Sequence, residues 1–334
     1  MADRHLFVWQ RSLALAVVAA ALGGIAGCSM PVARSASETI TSSVTLPVRK
    51  QIPDSKTSDV KPLIALRHEA YKKAIFRLAE TERIRLHNIP LPIQFQGKTI
   101  RDVKLNSEDT AIAQPISAKS LTPDGSTKAI AQSQVAKPIA LTFDDGPWAN
   151  STSQVLNILK KNKVKATFFV VGRQVQNYPQ LTKQIVTDGH AIANHSWSHQ
   201  YHQFNQSTAA REIDGTTELV YKTTGVKISL FRPPGGMLNN GLATYAHQKK
   251  YAVVMWSADS LDWRYRSVST LVNNILREAK PGGIILLHDG GGDRHHTVQA
   301  LPIVISQLKK RGYNFVTVPE LLEKADKQVV ASKP

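Results

Sequence analysis

An α/β fold of parallel strands covered by helices is what this sequence predicts, and three observations carry it. From Pro138 onward, short apolar runs alternate with stretches of helical period, the pattern of parallel strands joined by helical crossovers. Several of these runs end in polar or charged residues: Phe143-Asp144-Asp145, Ala193-Asn194-His195, Phe231-Arg232 and Leu287-His288-Asp289. In a β/α barrel the strand C-terminal ends share one face and the site is built there, so the pattern gathers these residues into one mouth. An open doubly wound sheet is the alternative. Finally, 334 residues at 42% hydrophobic and 20% charged provide a sizeable core in one large or two smaller domains.

The N-terminus reads as an export signal. Arg4, His5 and Arg11 precede the apolar run Leu13 to Leu22, which is the length of a signal-peptide core and shorter than the roughly 18 residues of a bilayer span. Ile25-Ala26-Gly27-Cys28 follows and resembles the lipobox of bacterial lipoproteins, in which cleavage before the cysteine exposes a thiol that takes the lipid. Cys28 is the single cysteine, so no disulfide forms within the chain. The expectation is a signal peptide over 1–27 and a lipid anchor at Cys28, facing the periplasm or the cell exterior. A plain cleavable signal with an incidental cysteine is the alternative.

Next come a flexible tether over 28–61, rich in Ser, Thr, Pro and Val, and a small region over 62–105. That region opens at Pro62 with a helical stretch whose Tyr71, Ile75 and Leu78 share a face. It ends in a short strand over Thr99 to Leu105. Residues 106–136 are polar, carry Pro-Asp-Gly at 123–125, and read as a flexible linker. From 137 to 328 seven strands are expected: Ile139–Phe143, Ala166–Val171, His190–Ala193, Leu230–Phe231, Tyr251–Trp256, Gly283–Leu287 and Asn314–Val316. Helices fall between most of them, among them Thr152–Lys161, Ser207–Lys222, Val268–Ala279 and Val298–Arg311.

The charge balance is unusual, with Lys+Arg 42 against Asp+Glu 25 and a net charge of +17. It favours anionic partners: anionic lipid, an acidic wall polymer or nucleic acid. No arginine-rich recognition helix, zinc-finger spacing or aromatic RNA-binding motif accompanies it, so nucleic acid is not expected.

The strand-end residues carry the chemistry. Asp144 and Asp145 stand side by side before Gly146-Pro147, so one can bind a metal while its neighbour, pointing elsewhere, takes a proton. Alone, the pair is also an ordinary surface turn. His195 and His199 are spaced i, i+4; if the segment turns helically, both face one way and share a divalent ion. With a carboxylate they make three ligands, the set of a catalytic metal that keeps a position open. Arg232, before Pro233-Pro234-Gly235-Gly236, can hold a carboxylate by a bidentate contact. Asp259-Ser260-Leu261-Asp262-Trp263 puts acids beside a large flat ring, and His288 ends an apolar strand. A histidine paired with a carboxylate is a ready general acid near neutral pH.

Taken in order from Thr142 to Asp289, these five motifs resemble those of the polysaccharide deacetylase family, carbohydrate esterase family 4, also called the NodB-homology domain. The resemblance covers about 138–325. It implies a distorted β/α barrel holding one divalent metal, usually zinc, with cobalt, manganese or nickel as other occupants. It implies that Asp145, His195 and His199 bind the metal and that Asp144 is the catalytic base, held by Arg232. It also implies that His288 is the general acid tuned by Asp262, and that Trp263 and Leu286 line the acetyl pocket. One position departs from the family: where a tyrosine is common, this chain has Gly235, whose backbone N–H can still hold an oxyanion. The implied activity is hydrolysis of N-acetyl groups on a glycan polymer such as peptidoglycan, chitin or an exopolysaccharide, by a monomer. An inactive glycan-binding barrel, or a hydrolase of another C–N bond, are the alternatives.

Overall fold

A computed structural model describes residues 69, 71–73, 89–105, 117–121, 127–131, 137–264 and 267–331. The signal-peptide and Cys28 expectations, and most of the helix expected after Pro62, lie outside them. Residues 69 and 71–73 are helical. Among the described residues no helix is long and apolar enough to cross a membrane.

The strands in chain order are β1 (Thr99–Ile100), β2 (Ser117–Leu121), β3 (Thr127–Ala131), β4 (Lys137–Asp144), β5 (Thr167–Val170) and β6 (Ala191–Asn194). They continue with β7 (Leu230–Phe231), β8 (Ala252–Val254), β9 (Ala258–Asp259), β10 (Ile284–His288) and β11 (Tyr313–Val316). The helices are α1 (Ser151–Asn162), α2 (Gly172–Asn177), α3 (Pro179–Thr187), α4 (Gln206–Thr224), α5 (Leu242–Gln248), α6 (Val268–Glu278), α7 (His295–Lys310) and α8 (Val318–Ala331). Nine strands form one sheet in the order β1-β8-β7-β6-β5-β4-β10-β9, with β11 also pairing β4. Every registered pair in it is parallel. The result is the partial β/α barrel expected: the seven strands anticipated after residue 137 are present, and β1 falls within the strand expected over Thr99 to Leu105, shortened to two residues. In this sheet only β9 was not anticipated, and its two residues are too few to show a period.

Three strands lie before residue 137. Thr99–Ile100 pairs with Val253–Val254 inside the main sheet, so the sheet begins well before 137. Residues 117–121 and 127–131 pair as an antiparallel hairpin, within a segment expected to be structureless.

Period-two alternation assigns each strand residue a side. On β4, Ile139, Leu141 and Phe143 belong to the large core that also contains Leu156 and Leu159 of α1 and Leu301, Val304 and Leu308 of α7. Ala140 lies on the opposite face, in a second core with Phe169, Ala193, Leu230 and Val254. There α8 fits against the concave side of the sheet through Val318, Leu321, Leu322 and Ala325. Because both faces are covered, β4 is buried along nearly its whole length and reads as a continuous apolar run. On β10, Ile285 and Leu287 join the outer core and Ile284 the inner one. The same alternation sends Thr142 and Asp144, and Leu286 and His288, to the inner face at the strand C-terminal ends.

Candidate active site

The inner-face residues converge on one cavity of about 680 Å³ at the strand C-terminal ends. Asp144, Asp145, His195, His199 and His288 line it. Gly235, Trp263 and Leu286 also contribute to its wall. Arg232 and Asp262, both buried, stand behind this lining and hold its residues in place.

The parallel register sets His288 directly beside Asp144. Arg232, fully buried, donates through Nη1 to Asp144 Oδ1 at 2.7 Å and to Thr142 Oγ1 at 2.8 Å. Its Nε and Nη2 go to the carbonyls of Val254 and Met255, and its guanidinium lies 4.0 Å from the Phe169 ring centroid. The expected bidentate grip on the carboxylate is therefore a single contact. The other donors go to Thr142 Oγ1 and to the carbonyls of Val254 and Met255, acceptors that a buried guanidinium needs. Asp144 is left with Oδ2 facing the cavity side, 3.7 Å from His195 Nε2.

Asp145 separates from Asp144 by backbone conformation. Its φ of 74° takes it out of the extended region, so both carboxylates reach the cavity but with different partners. Asp145 Oδ1 faces His199 Nε2 at 3.0 Å and His195 Nε2 at 3.4 Å. Burial alone would raise this carboxyl, but the two imidazoles, where they carry a proton towards it, more than offset burial and hold it well below the usual carboxylate range.

The histidine segment is not the helical turn expected from i, i+4 spacing. Residues 195–200 form an irregular loop with Ser196 and His199 at positive φ, 66° and 54°. Backbone conformations of this kind persist only where surroundings over-determine them. Here Ser196 Oγ accepts from His199 N at 3.0 Å, and Asn194 Oδ1 accepts from Ser196 N at 2.8 Å. Glu212, projecting from α4, accepts from Trp197 N, Ser198 N and Ser198 Oγ at 2.9, 2.8 and 2.6 Å. Glu212 was not singled out in the sequence because it lies 13 residues past His199 on an otherwise ordinary amphipathic helix.

These three residues fit a metal ion. Their ligand atoms lie within 4.8 Å of one another. His195 Nδ1 lies 2.7 Å from the Arg232 carbonyl oxygen, which can only accept, so Nδ1 carries the proton. In the neutral ring Nε2 is then a bare lone pair aimed at a carboxylate, a repulsive arrangement unless a cation stands between. Asp145 Oδ1 is buried without a hydrogen bond, as a ligand oxygen would be.

On the other side of the cavity His288 Nδ1 lies 2.6 Å from Asp262 Oδ1. Asp262 Oδ2 accepts from His288 N at 2.9 Å and Thr297 Oγ1 at 2.8 Å, so the carboxylate is fully engaged. Burial would lower the imidazole, but Asp262 outweighs it and pushes His288 up to about 9. Leu286 is buried in the cavity floor and Trp263 is exposed at the mouth.

Two further residues belong here that sequence reasoning left unassigned. Arg294 is nearly buried, donates to the carbonyls of Gly290, Asp262 and Gly291, and brings Nη2 to 3.9 Å from Asp145 Oδ2. Asp289 lies behind the Asp145-Gly146 turn, so close that a Cβ on Gly146 would stand 2.3 Å from its Oδ2. Its Oδ2 accepts from Thr152 Oγ1 at 2.5 Å, and burial pushes its carboxyl up to about 7.

A parallel half-barrel that gathers an Asp-His-His triad, an arginine-held carboxylate and a carboxylate-held imidazole at its strand ends has the architecture of a hydrolase. Residues 131–254 match the model of the polysaccharide deacetylase family. A peptidoglycan-N-acetylglucosamine deacetylase of Bacillus cereus is 46% identical over 189 residues, 56% of this chain and 88% of that protein. The chain thus belongs to the polysaccharide deacetylase family. A peptidoglycan-N-acetylmuramic acid deacetylase of Bacillus subtilis is 38% identical over 188 residues, 56% of this chain but 39% of that longer protein. The crystal structure of a peptidoglycan N-acetylglucosamine deacetylase in complex with 4-naphthalen-1-yl-N-oxidanyl-benzamide superposes with a TM-score of 0.54 at 36% identity. The match covers 56% of this chain and 88% of that one.

Proposed function

We propose that this protein hydrolyses N-acetyl groups of an N-acetylated glycan in the cell wall, releasing acetate and a free amino sugar. The observation that carries the reading is the meeting, in one cavity, of a metal-ligand triad with a separate proton acceptor and a separate proton donor. Relatives named for deacetylation of N-acetylglucosamine and N-acetylmuramic acid support this choice of substrate class.

Asp145, His195 and His199 would hold a divalent ion, zinc being the first choice for two imidazoles and a carboxylate with a position left open. Such an ion supplies Lewis acidity to the acetyl carbonyl and acidity to a water. Asp144, fixed by Arg232, takes the proton from the attacking water as oxygen bonds to the acetyl carbon. The Gly235 N–H donates to the developing oxyanion. His288, kept protonated by Asp262, gives its proton to the amide nitrogen as the C–N bond breaks. Trp263 and Leu286 enclose the acetyl group. Asp144 and His288 exchange protons with solvent between turnovers, and no covalent enzyme intermediate forms.

The lipobox-like Ile25-Ala26-Gly27-Cys28 supports an exported, lipid-tethered reading, and the net charge of +17 favours acidic wall polymers. Acetate release from peptidoglycan, chitin oligomers and an N-acetylated exopolysaccharide, with and without chelator, tests the reading. Release that is lost with chelator and restored by zinc is expected; no release from any polymer overturns it. For the anchor, Cys28→Ser abolishes labelling by a fatty-acid analogue, and equal labelling of both proteins removes it.

A further inference from the structure

Tyr201 follows the ligand His199 by two residues and lines the same cavity, yet more than half of its surface, 54%, is exposed. Its ring stands edge-on to His199, centroids 5.3 Å apart at 81°. On another side it meets the backbone of Gly235. A Cβ added there would lie 2.8 Å from Tyr201 Cε1, closer than real Cβ atoms pack, and a tight 3.3 Å from Cδ1. Gly235 also has φ of 59°, a left-handed conformation in which a side chain is strained. Ring and glycine therefore occupy one space between them.

Resting on the glycan reading above, we infer that Tyr201 is the aromatic platform on which a sugar ring of the substrate stacks, and that Gly235 lacks a side chain because this ring takes its place. An aromatic ring pinned by neighbours on two sides loses little freedom when a ligand covers its open part, so the contact is effective. The flat C–H face of a pyranose matches such a surface. Trp263, 58% exposed, lines the same cavity from the segment after β9 and provides a second ring at the mouth. Tyr201 thereby becomes a specificity-determining residue contributed by the metal-ligand loop itself.

The test uses the full chain carrying Asp144→Asn, so that binding is read without turnover, and calorimetry with the tetramer of N-acetylglucosamine. Tyr201→Ala weakens binding by roughly two- to tenfold, the range of a single aromatic contact. Tyr201→Phe, which keeps the ring, stays close to the parent, and zinc content is the same in all three. Gly235→Ala displaces the ring and weakens binding similarly. In the active protein Tyr201→Ala raises KM and spares kcat. Unchanged tetramer binding in Tyr201→Ala overturns the inference. So does a fall in kcat and zinc content with KM unmoved, since the ring would then serve only to hold His199. A wild type that releases acetate while Tyr201→Ala binds normally sinks the stacking claim alone. One that binds the tetramer in a Tyr201-dependent way and releases no acetate from any polymer sinks the deacetylase reading alone. Neither binding nor release overturns both.

Discussion

Replacing Asp262 by Asn keeps the size of the side chain and removes the charge that holds His288 protonated. His288 is pushed from the ordinary 6.5 to about 9, with Asp262 the largest influence upward and burial the largest downward. That displacement corresponds to a preference for the imidazolium on the order of 3 kcal/mol. Without that carboxylate the largest upward influence is gone; burial still lowers the imidazole while Asp145 and Asp144 still raise it, so it returns towards the ordinary 6.5. At pH 8 the protonated fraction then drops about thirtyfold, whereas at pH 6 it hardly changes. Acetate release by Asp262→Asn is therefore close to normal in slightly acidic buffer and collapses as the pH rises, its basic limb lying roughly two pH units lower. A bound dication lowers His288 in both proteins, so the separation between the two profiles is the quantity to read. NMR titration of the His288 ring in metal-free protein measures the same shift directly. The pair also contributes to folding. A raised imidazole pKa stabilises fully below about 6.5, and that stability is lost as the pH rises through about 9. If the basic limb and the ring titration of Asp262→Asn coincide with those of the parent, His288 is not the proton donor and the assignment fails.

Three other expectations follow from the same geometry. Asp144→Asn keeps its metal and loses about 10²–10⁴-fold in turnover, while Asp145→Asn loses metal affinity and is partly rescued by added zinc; elemental analysis beside acetate release distinguishes them, and the reverse pattern exchanges the two roles. Glu212→Ala strips the acceptor from two backbone N–H groups and Ser198 Oγ, so zinc affinity measured by chelator competition falls about tenfold or more and the melting temperature drops. Asp289, raised to about 7, favours the fold when protonated, and that contribution fades as the pH climbs from about 4 through 7. In metal-stripped protein the gain in melting temperature of Asp289→Asn over the parent should be larger at pH 8 than at pH 5; a difference independent of pH would mean that the carboxyl is not titrating there.

Fold class, the identity of the strands and the motif residues were legible in the sequence because their signals are local. A buried parallel strand is a short apolar run, and Ile139–Phe143 and Gly283–Leu287 show it plainly. The residue that ends each run falls at the barrel mouth by topology alone, which brought Asp144, His195, Arg232 and His288 to one place. The two-residue strand Ala258–Asp259 leaves no periodic trace and exists because a neighbour offers it a ladder, while the strand expected over Thr99 to Leu105 is cut to the two residues that Val253 and Val254 pair. Spacing alone suggested a helix for His195–His199, but the ligands are presented by a loop at positive φ, held by Asn194, Ser196 and Glu212. Conformations that cost energy locally are chosen by tertiary partners, which the local sequence does not reveal. Arg294 beside Asp145, Asp289 behind Gly146 and Tyr201 against Gly235 are likewise contacts between segments 34 to 149 positions apart. Their chemistry arises from burial and close approach, properties a residue acquires only when the chain has folded around it.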